Sequence, residues 1–575
     1  MKFVFVLLGL GLVTLSASPR PNLVFILADD LGWTDLRTGG KGPNVLAGVD
    51  YGSTSYQTPN LARLAEEGLS FTHCYVQPNC APTRAAIFSG QYPARSGNGV
   101  YNVQSLNRGI GQPPLLGPEQ NEDVPASHHT LAEALSEAGY VTAHFGKYHI
   151  GGHEGGAATL PEEQGFDFNF GGHQSGHPRS YTAGENGFHP TVGPGLNPFA
   201  QPYSESYVEQ VLQGPQKNPL HRRALARPDL FPQARANDPG ALVGKGKHLT
   251  DAMADAAASF LQSHGKSERA ADPFYLQFHL YAVHTPIQPR RDLSQKYQSL
   301  PLTGAHQDAS YAALVEGLDQ TVGRLLDALE DPNGDGRKDD SLTKNTVVIF
   351  CSDNGGHVGP TANQPLRHRK GSHWEGGIRV PLIIRQPGTI PSGEQSDTLV
   401  HAVDFYPTLL ELAGAKLKED LTFDGISLAR HLSGPAKTPR AREPIFYHFP
   451  GYLDHRSRPL NAVIKRTRGA TYKLLYHYDL LYQGNPRSKV DREEGLPVLE
   501  QPWQLFNLDE DLSEKKDLLA TADAPTAGNR AIARELAADL SAWLGQEGED
   551  WNPKPVIERA TGRPLPFPDQ KTLRK

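Results

Sequence analysis

The chain has 575 residues, with 56 Lys and Arg against 63 Asp and Glu, a net charge of −7 and no long run of either sign. That length supports a large core and more than one domain, while the balanced charge excludes a nucleic-acid groove or a polybasic membrane patch. Three cysteines, Cys74, Cys80 and Cys351, are too few for a disulfide framework. Cys74 and Cys351 are expected as buried free thiols, with a bond between them as the alternative.

Met1-Lys2, the apolar run to Leu15 and the small residues Ser16-Ala17-Ser18 read as a secretory signal peptide over residues 1–18. It is too short to span a bilayer, and no later apolar run reaches the length of a membrane helix. The chain contains no Asn-x-Ser/Thr sequon. A bacterial protein exported to the periplasm or beyond the cell is therefore expected.

Residues 22–28, Asn-Leu-Val-Phe-Ile-Leu-Ala, have the continuous apolar pattern of a strand buried on both faces, and they stop at Asp29-Asp30. In open α/β sheets ligand chemistry gathers at the carboxyl ends of strands, although two adjacent aspartates also suit a solvated turn. A helix over 61–67, capped by Thr58-Pro59-Asn60 and ended by Gly68, precedes a strand over 71–76. Asn79-Cys80-Ala81-Pro82-Thr83-Arg84 follows. Proline favours the first helical position, so Pro82 is expected to open a helix with Cys80 at or just before its N-cap. That places the cysteine beside free backbone N–H groups and the positive end of the helix dipole.

A helix over 130–137 and a strand over 140–145 run into Gly146-Lys147-Tyr148-His149. Residues 150–245, rich in Gly, Pro and His, read as a long loop-like insertion. Helix 251–261 and strand 274–281 lead to His284-Thr285-Pro286, and after a long amphipathic helix over 311–329 strand 346–352 ends in Asp353-Asn354-Gly355-Gly356. Between these last two elements, Asp331-Pro332-Asn333-Gly334-Asp335-Gly336 begins like a calcium loop but has Leu342 where the bidentate Glu belongs. It reads as a polar surface turn. Lys370-Gly371-Ser372-His373-Trp374-Glu375-Gly376-Gly377 precedes another strand at 382–385, and a helix spans 404–412.

Pro435, Pro439 and Pro444 mark a linker. Short strands over 445–449, 461–466, 472–478 and 504–508, then a helix over 529–544, read as a smaller unit with an irregular tail after Trp551. The resulting division is a signal peptide at 1–18, a catalytic domain at 19–440 and a C-terminal domain at 441–575. Four apolar strands thus end in Asp29-Asp30, Lys147/His149, His284 and Asp353-Asn354, and Cys80 stands at a helix N-terminus. Their convergence reads as one assembled site.

Together, Leu-Ala-Asp29-Asp30-Leu-Gly, Cys80-x-Pro82-x-Arg84, Gly-Lys147-x-His149, His284-Thr-Pro, Ser-Asp353-Asn354-Gly-Gly and Lys370-Gly-Ser-x-Trp-Glu-Gly-Gly resemble the motifs of the type I sulfatases over 23–519. Thr83, Phe88 and Tyr148 depart from the usual Ser, Leu and Trp and are expected to shape the pocket. The resemblance implies an alkaline-phosphatase-like α/β fold, a large and mostly parallel mixed sheet flanked by helices, with a smaller C-terminal α+β domain. It implies oxidation of Cys80 to formylglycine by a formylglycine-generating enzyme, with the aldehyde hydrate as nucleophile. One hydrate oxygen would displace the alcohol at sulfur, and the second hydroxyl would then expel sulfate, splitting one hard step into two.

By the same resemblance, Asp29, Asp30, Asp353, Asn354 and the modified Cys80 hold one calcium ion, which suits a set of hard oxygen ligands. Arg84 holds the hydrate, Lys147 and His149 bind the hydrate and sulfate oxygens, and Lys370 is a second sulfate-binding lysine. His284 is the expected general acid, with Lys370 next. The implied activity is sulfate-ester hydrolysis on an exported substrate, a sulfated sugar or polysaccharide. The alternatives are a phosphonate or phosphodiester hydrolase of the same superfamily and a noncatalytic glycan-binding relative. His128, His129, His173, His177 and His189 are weaker pocket candidates, since loop histidines are mostly solvated.

Overall fold

The computed structural model describes residues 20–573 apart from 104, 109–110, 214–222, 358, 417, 419–420, 435–443, 455, 482–500 and 521–524. The signal peptide expected at 1–18 and most of the proline-marked linker lie outside the described residues. Among those described, no helix is long and apolar enough to cross a membrane.

Among the described residues nine strands form the central sheet: β1 Asn22–Ala28, β2 Leu69–Tyr75, β3 Val141–Gly146, β4 Phe168–Phe170, β5 Phe274–His279, β6 Thr346–Ser352, β7 Arg379–Arg385, β8 Glu394–Ser396 and β9 Val400–His401. Their order is β8-β2-β7-β6-β1-β5-β3-β4, with β9 also pairing β2. β1 is buried along its whole length and runs parallel to both β5 and β6, and β3 runs parallel to β5. A strand in this setting needs apolar side chains on both faces, which explains the unbroken runs in the sequence. Helices cover the two faces, among them Ala309–Glu330 and Leu249–His264 against one core and Phe405–Ala413 against the other.

Parallel pairing aligns the carboxyl ends. Ala28 pairs with Ser352, Leu27 with His279, and His279 with Gly146, so Asp29, Asp353 and Lys147 emerge from one sheet edge. β7 is antiparallel to both β6 and β2. β2 therefore points the same way as β6 and delivers the Cys80 helix to that edge. The antiparallel β7 starts there, which is why the residues before it, including Lys370, reach the site.

A four-stranded antiparallel sheet forms the C-terminal unit, built from β10 Ile445–Phe449, β11 Leu460–Thr467, β12 Ala470–His477 and β13 Trp503–Asn507, with helix Ala527–Leu544 packed on it. It meets the larger unit through a buried ionic cluster in which Lys473 pairs with Glu375 at 3.2 Å and with Glu514 at 2.8 Å. The tail is less irregular than expected. Ile557–Glu558 pairs with Leu115–Leu116, and Val556 is fully buried. Among the described residues, the 150–245 segment consists of loops and short helical turns, mostly 3-10 but with an α turn at Glu205–Tyr207 continuing into a π turn at Val208–Leu212, and β4 is its one contribution to the large sheet.

Cys74 and Cys351 are not joined by a disulfide; their sulfurs lie 4.0 Å apart, on strands separated by β7. In the loop resembling a calcium site, the Asp331 carboxylate accepts from the backbone N–H groups of Gly334, Asp335 and Gly336. It closes a surface turn.

Candidate active site

Cys80 is the first residue of helix Cys80–Ser89, with Asn79 as its N-cap. The helix thus opens two residues before Pro82, and proline still fits because the N–H groups of the first turn have no intrahelical partner. Cys80 is 3 % exposed, and its sulfur lies within 4.8 Å of a carboxylate oxygen of Asp29 and of one of Asp353, close enough for all three to face one ion. Lys370 Nζ approaches it to 3.6 Å and donates to Asp30 Oδ1 at 2.5 Å.

The carboxylates hold one another in place through nearby donors. The Asp30 N–H donates to Asp353 Oδ1 at 3.2 Å, and Asn354 Nδ2 donates to Asp30 Oδ1 at 2.9 Å. Lys147 Nζ donates to Asp29 Oδ2 at 2.7 Å. Arg84 donates from Nε and Nη2 to Asp353 Oδ2 at 3.0 and 2.8 Å, and from Nη1 to the Lys147 carbonyl at 2.7 Å. In this arrangement Arg84 positions a carboxylate and the backbone at Lys147, just after β3. Asp30 and His149 both have φ of +64°, a left-handed conformation that non-glycine residues adopt at a cost of about 1–3 kcal/mol, found mostly where function requires it. Gly176 makes room for His149, since a Cβ there would stand 2.3 Å from the imidazole Cε1.

Three buried oxygens in this cluster have no hydrogen-bond donor: Asp29 Oδ1, Asp30 Oδ2 and Asn354 Oδ1. Unpaired buried acceptors are costly, and here they come from adjacent residues of one sheet edge. Burial raises the Asp29 carboxyl well above the ordinary range, helped by the negative charges of Asp353 and Asp30 against Lys147. For Asp30 burial also raises the value, but Lys370 and then His284 outweigh it and hold the carboxyl far below the usual range. An all-oxygen set of orphaned acceptors fits a hard divalent cation.

His284 Nε2 lies 3.8 Å from Asp30 Oδ2, and its Nδ1 is within 2.8 Å of the Thr285 carbonyl. Burial and then Lys370 push its pKa well below the ordinary value, partly countered by Asp30. His149 is likewise lowered by burial, then by Lys147 and Arg84.

The cluster opens into a cavity of about 530 Å³ lined by Cys80, His149, His284 and Lys370 and also by Asn102, Glu122, His153, His177, His357 and Arg456. Of the five weaker histidine candidates, His177 lines this cavity. His128 is buried against the Ser89 carbonyl, His129 pairs with Glu137, and His189 bonds Thr191. Phe88 and Tyr148 do not shape the pocket as expected. They are absent from its lining and pack edge to face within the core, with ring centroids 5.7 Å apart. Sequence reading missed Glu122, His153, His357 and Arg456. His357 could have been found from its place just after Asp353-Asn354-Gly355-Gly356, whereas the other three lie in segments without periodicity.

The sequence profile of the sulfatase family matches residues 21–415, and that of the C-terminal part of N-sulphoglucosamine sulphohydrolase matches 368–485. A sulfatase of Formosa agariphila is 38% identical over 584 residues, covering 97% of this chain and 94% of that protein. The N-acetylgalactosamine-6-sulfatase of Canis lupus familiaris is 30% identical over 453 residues, covering 78% and 72%. Among solved structures, Ps i-CgsB matches with a TM-score of 0.61 and 27% identity over 93% of this chain and 95% of that one, and it has also been solved in complex with k-i-k-neocarrahexaose.

Proposed function

This chain belongs to the sulfatase family and hydrolyses sulfate esters, and from that premise we propose that it removes sulfate from a carbohydrate met outside the cell. Carbohydrate sulfatases among its relatives support the substrate class, as does a cavity mouth furnished with amide, imidazole, carboxylate and guanidinium groups suited to a polar ligand.

The observation that carries the mechanism is the set of orphaned oxygens on Asp29, Asp30 and Asn354 gathered beside Cys80. Asp29, Asp30, Asp353 and Asn354, with an oxygen of the modified Cys80, would hold one calcium ion. Bound there, calcium would supply charge that polarises a sulfuryl oxygen and favours an ionised nucleophile. Formylglycine made from Cys80 supplies a hydrate with two hydroxyls where the thiol now stands.

The remaining work falls to this chain's own side chains. Lys370 and Lys147 set positive charge against the carboxylates beside Cys80, and His149 lines the cavity next to it. These three would bind sulfate oxygens and favour charge that develops during transfer. His284, facing the cavity from the segment that follows β5, would protonate the leaving sugar oxygen. An anionic sulfate ester in the site adds the charge that favours its imidazolium form.

The test is sulfate release from a panel of sulfated mono- and oligosaccharides by protein matured with a formylglycine-generating enzyme. Turnover of at least one member is expected. Turnover of aryl sulfates alone would remove the carbohydrate reading.

A further inference from the structure

One wall of the cavity is contributed by the C-terminal unit. Leu453 and Arg456 lie in a tight turn before β11, where the Leu453 N–H donates to the Ser457 carbonyl at 3.1 Å and the Arg456 N–H donates to Asp454 Oδ1 at 3.0 Å. The Asp454 carboxylate also holds the guanidinium, accepting from Nε at 3.0 and 3.1 Å and from Nη2 at 2.8 Å. Nη1 lies 3.5 Å from the carbonyl of Lys370. This approach needs a glycine at 371. A Cβ there would come within 2.9 Å of Leu453 Cδ2 and 3.1 Å of Arg456 Nη1, and φ at Gly371 is +86°.

The guanidinium is therefore built into place, yet its side chain keeps 27% exposure and lines the cavity beside Lys370 and His357. Arginine has five N–H donors, and Asp454 engages only the Nε and Nη2 side. Donors remain on Nη1 and Nη2. The positive charge is felt inside the cavity, where burial, then Lys370, Arg456 and Arg369 work against protonation of His357 while Asp30 favours it. Glu122, the acidic residue of the lining, acts instead on His153, which Asp123 already holds at 2.8 Å.

We propose that Arg456 is a substrate-binding residue that reads a second anionic group, sulfate or carboxylate, on the oligosaccharide carrying the scissile sulfate. The inference rests on the carbohydrate-sulfatase reading and adds the class of sugar. A planar, pre-oriented guanidinium matches the paired oxygens of either anion, whereas a neutral hydroxyl would use one donor and none of the charge. The second group would lie on the Lys370–His357 side of the cavity, away from the carboxylate of Glu122.

The test compares kcat/KM on three oligosaccharides that share one scissile sulfate: one otherwise neutral, one with a second sulfate, and one with a uronate carboxylate. The wild type is expected to favour one of the two anion-bearing substrates, which identifies the group. Arg456→Ala should lower kcat/KM on that substrate by about 10–100-fold more than on the neutral one, mostly through KM, the scale of a charged hydrogen bond. Arg456→Lys keeps the charge without the planar geometry and should recover part of the preference. Equal losses on all three, or a wild type without preference for either anion, would overturn the proposal and leave Arg456 as a support for the Lys370 loop. Failure of the wild type on all three, with aryl sulfates still cleaved, would instead remove the carbohydrate reading and this one with it.

Discussion

The ammonium of Lys370 stands 3.6 Å from the Cys80 sulfur while holding Asp30 at 2.5 Å, so one side chain touches both the proposed nucleophile position and a metal-ligand candidate. Burial works against its charge, but Asp30 and then Cys80 outweigh it and raise its pKa above the ordinary lysine value. That shift favours the charged form, which fits the proposed role of a second sulfate-binding lysine better than that of a proton donor.

Lys370→Ala should lower kcat/KM by about 10²–10³-fold, the loss typical of removing one preorganised charge-stabilising donor. Steady-state assays on a sugar sulfate, with calcium content checked by elemental analysis, measure it. A loss under threefold with metal retained would show that Lys370 does not face the reacting sulfate.

Metal removal should act on stability as well as on rate. Asp29 Oδ1, Asp30 Oδ2 and Asn354 Oδ1 have no donor of their own, and a bound cation stabilises the fold by mass action, about 2.7 kcal/mol at a hundred times Kd. Exhaustive chelation is expected to abolish turnover and lower the melting midpoint, and added calcium to restore both. An unchanged midpoint with full activity after chelation would rule out the site.

His284→Ala separates an acid from a binder. A sugar alkoxide needs a proton as it leaves, and general acid assistance contributes about 10²–10⁴-fold, whereas an activated phenolate needs little. Single-turnover rates should therefore fall much further for the sugar sulfate than for nitrophenyl sulfate. Equal losses on both would make His284 a sulfate ligand.

The strand ends of the site were legible in the sequence because a strand buried on both faces leaves an unbroken apolar run, and β1 and β6 stop cleanly at Asp29 and Asp353. The Cys80 helix was legible except for its first two residues, since proline marks the first turn without fixing which position it takes. Arg456, His153 and Glu122 were not legible. They reach the cavity from loops whose path depends on tertiary contacts, such as the clearance at Gly371, and no local pattern encodes that.

The Asp123–His153 pair should give stability a pH signature. His153 is raised from 6.5, chiefly by its hydrogen bond to Asp123, and Asp123 is lowered from 3.8 because His153, Gly155 and Thr159 outweigh its burial. The raised histidine stabilises fully below 6.5 and loses that contribution as pH rises through its folded value. The lowered aspartate stabilises above 3.8 and loses that contribution as pH falls through its own. The wild type should thus exceed His153→Ala most at roughly pH 4–6, by no more than about 1 kcal/mol, because the His153 imidazole is partly open to solvent. Melting midpoints of both proteins across pH 4–9 measure this, and a difference that grows above pH 7 would contradict the pairing.

The most direct test concerns Cys80. Mass spectrometry of the peptide spanning Cys80, run alongside sulfate release on preparations matured to different extents, measures whether activity follows the modified residue. Turnover per molecule should rise in proportion to the aldehyde fraction and vanish in Cys80→Ala, which should remain folded. Full activity from protein carrying only the thiol would contradict formylglycine as the nucleophile.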